Sequence, residues 1–383
     1  MSETVNGWVD PAFRAVREVF AADFADGRDL GASVAVFVNG RAVVDLWGGV
    51  ADERTGRVWE RDTPAVTFSC TKAVTATAAL RVAAESGSDW DEPVTSWWPE
   101  FGVADKDSIT LADLLTHRAG LPAFDRPVSA AEAADPAAMA ARLAAQRPVW
   151  EPGSEHGYHG LTFGWLVGEF VRRRTGSTVG DYTRRHLGAD LWIGPPPDIA
   201  ERTARLASPP PDQQAWTDPG PIAPETVAAM ARAFRDPDSL VLRATTNPVA
   251  SYNKSEVLTG GWPATGLVTT ARALARFYRD LVDGTLLPPT VLAEATRERV
   301  RGRDAVLLLE SAFALGYMLP CENLILPAPA RSTAFGHPGA GGSIGLGDRE
   351  NRVALAFTPN LRRDWLAGDR RAHDLVAATY AAL

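Results

Sequence analysis

Apolar residues recur at helical spacing near the N-terminus and at alternating positions after it. Asp10-Pro11, a helix cap followed by a proline suited to the first helical turn, precedes the first set: Phe13, Val16, Val19, Phe20 and Phe24. We therefore expect the chain to open with an amphipathic helix. Two strand-like runs, 33–38 and 41–47, then flank Asn39-Gly40, a dipeptide typical of a tight hairpin turn.

The middle of the chain has a different pattern from the region that ends it. Residues 73–185 are rich in Ala and Leu at helical spacing, whereas 352–357 alternates as a strand and 372–383 resembles a closing helix. The stretch 193–224 is so rich in proline that we expect a long surface loop without regular structure.

These patterns predict an α/β fold of the α+β kind, in which an antiparallel sheet is flanked by N- and C-terminal helices. A mostly helical domain is inserted into it. We place the discontinuous α/β domain at 1–82 and 255–383, and the inserted domain, with its proline-rich loop, at 83–254.

Composition and charge narrow the function classes. The 383 residues are 45% hydrophobic and 22% charged, as in an ordinary globular protein. A net charge of -8 opposes binding to nucleic acid or to an anionic membrane, so a small molecule is the expected partner. No window has the roughly 18 to 20 apolar residues of a membrane span, no secretory signal is evident, and two cysteines cannot form a disulfide framework. We expect a cytoplasmic protein of unspecified oligomeric state.

The segment Ser69-Cys70-Thr71-Lys72 carries the clearest catalytic pattern. An extended run precedes it and a helical run follows, so the serine starts a helix and the lysine lies one turn on. The N–H groups at a helix start favour a developing negative charge, and the amine can act as a base. A second Ser-x-x-Lys match, Ser251 to Lys254, lies among proline and glycine, and we predict an ordinary loop serine there.

Two further segments could complete a site around this serine. Tyr158 follows a turn-rich run, and its phenol could exchange protons with the serine if nearby Lys72 lowers its pKa. The alternative is a buried tyrosine that closes the helical region. The glycine-rich run 335–343 would let a substrate approach the backbone closely, the alternative being a plain hairpin turn.

The remaining histidines and the cysteine beside the serine indicate neither a metal site nor a second nucleophile. We expect a structural hydrogen bond from His117, while His156 and His159 flank the tyrosine without zinc-like spacing. Neither a metal nor a cofactor is predicted. Cys70, at the first helical position, is expected to pack inward rather than to act as a nucleophile.

Together these segments resemble the serine β-lactamase and penicillin-binding protein superfamily, especially class C β-lactamases and family VIII carboxylesterases. Four other stretches add to the likeness: 91–94, 114–122, 263–266 and 271–278. The resemblance implies a β-lactamase/transpeptidase-like fold in which Ser69 is the nucleophile. Lys72 and Tyr158 would share the proton transfers, one or the other being the base.

The resemblance also implies how the substrate is held. The backbone N–H groups of Ser69 and Ala340 would bind the oxyanion, and His337, Gly339 and Ala340 would contact the substrate.

Two departures from the lactamase pattern favour the esterase branch. The Tyr-x-Asn motif is Tyr158-His159-Gly160 here, which lacks the amide that orients an acylamino side chain. Lys-Thr-Gly is replaced by His337-Pro338-Gly339, which lacks a fixed positive charge. We therefore expect a serine carboxylesterase that hydrolyses short-chain esters, with acyl transfer to alcohols as a side activity. The alternatives are a β-lactamase or D-stereospecific peptidase with the same site, and a non-catalytic penicillin-binding-like module.

Overall fold

The computed structural model describes residues 5–209, 222–363 and 369–383. Its strands in chain order are β1 (Val5–Val9), β2 (Gly31–Val38), β3 (Arg41–Asp52), β4 (Arg57–Val58), β5 (Ala65–Val66), β6 (Trp192–Ile193), β7 (Leu267–Thr269), β8 (Val300–Arg303), β9 (Glu310–Phe313), β10 (Ala334–Pro338), β11 (Ile344–Asp348) and β12 (Val353–Pro359). The largest sheet is antiparallel, in the order β1-β3-β2-β12-β11-β10, and β4 pairs with β3. This sheet confirms the predicted fold class.

The helices connect and cover these strands. They are α1 (Arg14–Ala25), α2 (Cys70–Ser86), α3 (Leu111–Leu115), α4 (Pro136–Ala145), α5 (Thr162–Thr175), α6 (Val179–His186), α7 (Pro197–Arg202), α8 (Pro224–Ala233), α9 (Leu240–Thr246), α10 (Ser255–Thr259), α11 (Ala271–Val282), α12 (Pro289–Ala295) and α13 (Arg370–Tyr380).

Helices cover both faces of the large sheet, which explains why β2 is buried along most of its length. Successive side chains of a strand point to opposite faces. Val34 and Val36 therefore belong to the apolar core that includes α1 and α13, whereas Phe37 lies on the other face beneath Arg279 of α11. The N- and C-terminal helices, α1 and α13, pack against each other.

The N-terminal region confirms one prediction and corrects another. The hairpin between β2 and β3 forms as expected, with positive φ angles of 51° at Asn39 and 77° at Gly40. The chain does not open with a helix, because residues 5–9 form an edge strand paired with β3. This strand was missed since its middle, Asn6 to Trp8, is exposed and carries no apolar alternation. The helix follows it, after a short turn capped by Asp10.

The middle of the chain is helical, as its periodicity predicts, from α2 to α6. The proline-rich stretch 193–224 is not wholly irregular: α7 lies within it and α8 begins at its end. Each of these helices starts with a proline, at a position where its missing N–H is not needed. Residues 210–221 of this predicted loop lie outside the described residues. The domain boundaries near 82 and 254 stay a prediction.

A small second sheet, β5-β7-β6, brings the start of α2 beside the segment that precedes β7. The N–H of Thr67 donates to the carbonyl of Leu267 at 2.9 Å, and Phe68 and Gly266 form a further bridge. This pairing positions residues near 264, far away in sequence, against the first turn of α2.

Candidate active site

Ser69 stands immediately before α2, where the chain turns from β5 into the helix. Phe68 has a positive φ of 46°, and Ser69 itself is already in the right-handed helical region. The Ser69 side chain makes no capping hydrogen bond to the helix. Its hydroxyl lines a cavity instead, so the serine does not serve as a side-chain cap.

Lys72 lies one helical turn after Ser69 and is completely buried. Its Nζ is 3.2 Å from Ser69 Oγ, 2.7 Å from the carbonyl oxygen of Gly160 and 3.2 Å from that of Ala264. The two carbonyls precede α5 and β7, respectively, and each accepts an N–H group. Besides its carbon, the nitrogen has three bonding directions; the two carbonyls take up two of them, and the third points at the hydroxyl of Ser69.

The environment of Lys72 favours its neutral amine. Within the described ranges, no carboxylate forms an ion pair with this side chain. Burial without a counter-charge lowers the pKa of Lys72 well below its usual value, because desolvation penalises the ammonium. A neutral amine offers a lone pair that can accept the proton of Ser69 Oγ.

Tyr158 completes the cluster, since its hydroxyl donates a hydrogen bond of 2.8 Å to Ser69 Oγ. Nζ of Lys72 lies 4.7 Å from the centre of the tyrosine ring. The condition that nearby Lys72 lowers the pKa of this phenol is not met. Burial raises the pKa of Tyr158 above its usual value, and the buried charge of Asp304 adds to the rise. The neutral phenol is therefore a proton donor.

Asp304 fixes the backbone of this tyrosine and was missed by the sequence analysis. One of its carboxylate oxygens accepts hydrogen bonds from the N–H groups of Tyr158, Val306 and Leu307 at 2.8 to 3.0 Å. The other accepts from the hydroxyl of Ser311 at 2.9 Å. A lone aspartate in a loop about 150 residues from Tyr158 carries no motif that could have indicated this contact.

The glycine-rich turn between β10 and β11 forms another wall of the cavity. Gly339 packs so tightly that a Cβ there would lie 2.2 Å from the carbonyl oxygen of Thr67. The glycine is thus needed for contact with the chain ahead of Ser69, and it also lines the cavity. In the part of the chain that is described, the N–H groups of Ser69 and Ala340 have no hydrogen-bond acceptor, and both residues line the cavity. Both N–H groups remain available to a ligand.

His337 lies on β10, is buried and lines the same cavity. Its Nδ1 donates to the carbonyl of Pro338 at 2.7 Å, which leaves Nε2 as an acceptor without a partner among the residues described. Burial lowers the pKa of His337 to about 3. A neutral His337 cannot provide a positive charge for a substrate carboxylate.

The other histidines have structural contacts. His117 Nδ1 accepts the N–H of His159 at 3.0 Å, as expected for a structural role. His159 in turn accepts the N–H of Leu121 and lies 2.7 Å from the carbonyl of Gly157. His156 pairs with Ser311, which binds the same aspartate that holds the tyrosine.

The two competing nucleophiles are poorly placed. Cys70 is buried against the carbonyl of His337, and burial raises the pKa of its thiol to about 12. Ser251 is exposed and does not line the cavity. Over residues 5–209, 222–363 and 369–383, no cluster of His, Cys, Asp and Glu could hold a metal ion, and no helix is long and apolar enough to cross a bilayer.

The cavity around Ser69 has a volume of about 510 Å³, within the usual range for small-molecule sites. Much of its lining is apolar or aromatic. These lining residues are Phe68, Leu161, Pro248, Val249, Ala250, Tyr252, Trp262, Leu324 and Ile325. Such a surface suits the apolar part of a small acyl or alcohol group.

Comparison with known proteins identifies the family. The sequence profile described as Beta-lactamase matches residues 16–379. The chain belongs to the beta-lactamase family. It is 34% identical over 371 residues to the esterase/beta-lactamase LipL of Mycobacterium tuberculosis, a match covering 93% of this chain and 83% of LipL. This member of the beta-lactamase family thus has an esterase among its relatives.

Solved structures agree in fold over nearly the whole chain. A penicillin-binding protein homolog from Caulobacter crescentus has a TM-score of 0.86 and 37% identity, covering 99% of this chain and all of its own. A family VIII carboxylesterase also has a TM-score of 0.86, with 31% identity and the same coverage. The protein is thus a beta-lactamase-family serine hydrolase with carboxylesterase-like architecture.

Proposed function

We propose that this protein is a carboxylesterase that hydrolyses short-chain esters through an acyl-enzyme on Ser69. One observation carries the proposal: Ser69 Oγ meets both the phenol of Tyr158, at 2.8 Å, and the buried amine of Lys72, at 3.2 Å. The hydroxyl thus has a proton acceptor and a proton donor at hydrogen-bond distance. The esterase relatives support the same reaction class.

Acylation begins when Ser69 Oγ attacks the ester carbonyl and its proton passes to the neutral amine of Lys72. The sequence left open whether Lys72 or Tyr158 is this base, and the lowered pKa of Lys72 beside the raised pKa of Tyr158 favours Lys72. The carbonyl electron pair moves onto oxygen, where the N–H groups of Ser69 and Ala340 stabilise it by about 3 to 4 kcal/mol per donor.

The tetrahedral intermediate then collapses with loss of the alcohol. The bond to the alcohol oxygen breaks, that oxygen takes the proton of Tyr158, and the ammonium of Lys72 returns a proton to the phenolate. Water attacks the acyl-enzyme by the reverse sequence and regenerates the serine. An alcohol in place of that water would give acyl transfer, which we retain as a proposed side activity.

A β-lactamase is the second candidate, because the relative LipL is named for both activities. The neutral His337 and the missing amide after Tyr158 count against it. Relative kcat/KM for p-nitrophenyl butyrate and a chromogenic cephalosporin separates the two, and faster turnover of the cephalosporin would replace our proposal.

The decisive test uses p-nitrophenyl acetate, butyrate and octanoate with wild type, Ser69→Ala and Ser251→Ala. The second serine variant is a matched control, since it removes the other Ser-x-x-Lys hydroxyl. We expect Ser69→Ala alone to lose at least about 10³-fold in kcat/KM, as when other nucleophiles are removed. Mass spectrometry after an organophosphonate should place the adduct on Ser69. An adduct on Ser251 or Cys70, or no adduct with any activated ester, would refute the proposal.

A further inference from the structure

Charged side chains also line the described part of the cavity. Asp369 is the one carboxylate that lines the cavity among the described residues, and it pairs at 2.6 Å with the buried guanidinium of Arg371. Arg370 pairs with Asp374, and Arg363 donates to the carbonyl of Gly27 at 2.8 Å. Each of these charged side chains therefore already has an intramolecular partner.

Arg362 differs from these neighbours. Its guanidinium lies 5.7 Å from the centre of the Phe68 ring, and its stem crosses Gly341, where a Cβ would come within 3.0 Å of Arg362 Cγ. In the described part of the chain, its side chain has no hydrogen bond or ion pair, and it is exposed at the cavity mouth. Among the described residues, this cation therefore has no counter-ion.

The position of Arg362 relative to the reaction is defined by what it touches. Phe68 precedes the nucleophile, and Gly341 follows Ala340, the proposed oxyanion donor. The arginine therefore bridges the two walls that would hold the ester carbonyl. Below it, Phe68 packs edge-on against Tyr252 with ring centres 5.1 Å apart, so the guanidinium rests on an apolar base that limits competition from water.

We propose that Arg362 binds a carboxylate of the substrate, so that the preferred esters carry an acidic group a few bonds from the ester carbonyl. A planar guanidinium pairs with a carboxylate through two parallel hydrogen bonds, and the guanidinium of Arg362 has no partner of its own within the described ranges. This inference rests on the proposed esterase function.

Two matched substrate pairs test the proposal from the acyl and the alcohol side. The first pair is the mono-p-nitrophenyl ester of glutaric acid and its methyl ester. The second is 4-acetoxybenzoate and its methyl ester. For each pair we would measure the anionic-to-neutral ratio of kcat/KM in wild type, Arg362→Gln and Arg276→Gln. Arg276 is exposed on α11 outside the cavity, so its variant loses the same charge elsewhere.

We expect the ratio for at least one pair to fall about tenfold in Arg362→Gln and to stay within about twofold in Arg276→Gln, as for loss of one charge-assisted contact. An unchanged ratio in Arg362→Gln for both pairs, or an equal fall in Arg276→Gln, would overturn the inference. The esterase proposal fails by a different result, namely turnover of the neutral esters that survives Ser69→Ala.

Discussion

Replacing Tyr158 by phenylalanine removes one hydroxyl and leaves the surrounding packing in place. The ring is buried and stacks on Phe313 with centres 6.4 Å apart, contacts that phenylalanine keeps. The lost interaction is the hydrogen bond of 2.8 Å to Ser69 Oγ. A bond of this kind contributes about 0.5 to 1.5 kcal/mol to stability, so the variant should fold and melt near wild type.

The catalytic effect should depend on the leaving group, because we assign Tyr158 to protonation of the departing alcohol. An alkoxide leaves poorly without a proton, and general acid catalysis contributes about 10²- to 10⁴-fold. We therefore expect kcat/KM for ethyl butyrate to fall by that factor in Tyr158→Phe. The p-nitrophenolate ion needs no proton to leave, so p-nitrophenyl butyrate should lose less than about tenfold.

Both esters deliver the same acyl group, and kcat/KM reports only the steps up to acylation, so the two esters differ only in their leaving group. A pH-stat measures hydrolysis of ethyl butyrate, and absorbance measures release of p-nitrophenolate. Tyr317→Phe is the matched control, because it removes another buried phenol, bonded at 2.7 Å to Thr77 and away from the cavity. An equal loss for both esters in Tyr158→Phe would refute the assignment. That result would instead make Tyr158 the base that activates Ser69.

Three further outcomes follow from the structure. Lys72→Arg replaces the neutral amine by a guanidinium that stays protonated and cannot accept the serine proton, so we expect at least about 10³-fold loss of kcat/KM. In wild type, log kcat/KM should rise with pH through the lowered pKa of Lys72, and a flat profile would contradict this assignment. Burial raises the pKa of Asp23 to about 7, so its contribution to stability is lost as pH rises through 7. Between pH 5 and pH 8, the free energy of unfolding measured in urea should fall by about 2 to 3 kcal/mol more in wild type than in Asp23→Asn. An equal pH dependence in the two proteins would exclude that role. Gly342→Ala should lower both Tm and kcat/KM, since its Cβ would lie 2.2 Å from Asp369 Oδ2 at a φ of 111°, and wild-type values for both would contradict the clash.

Local patterns predicted the parts of the site that lie close together in sequence. The spacing of Ser69 and Lys72 sets both side chains on one turn of α2, which helix geometry alone requires. The carbonyl groups of Gly160 and Ala264 could not be predicted, because only the tertiary packing brings them to Lys72. The direction of the Tyr158 pKa shift could not be predicted either, because it depends on burial that only the tertiary fold creates.

The same distinction between local and tertiary causes applies to the fold. The hairpin at Asn39-Gly40 follows from the conformational freedom of two adjacent residues. The strand at 5–9 exists only because β3 offers it an edge, and its own residues are mostly polar or exposed. Within the proline-rich stretch, α7 begins with a proline at its first position. A count of prolines cannot tell such a helix-starting proline from one in a loop.

The way Lys72 is held has a consequence for the conditions in which the protein works. Peptide carbonyls, not ions, hold its amine, and the side chain is completely shielded from solvent. Dissolved salt screens charges that face water and has little effect on neutral dipoles packed inside a protein. Turnover of an uncharged ester should therefore change little between dilute buffer and concentrated salt.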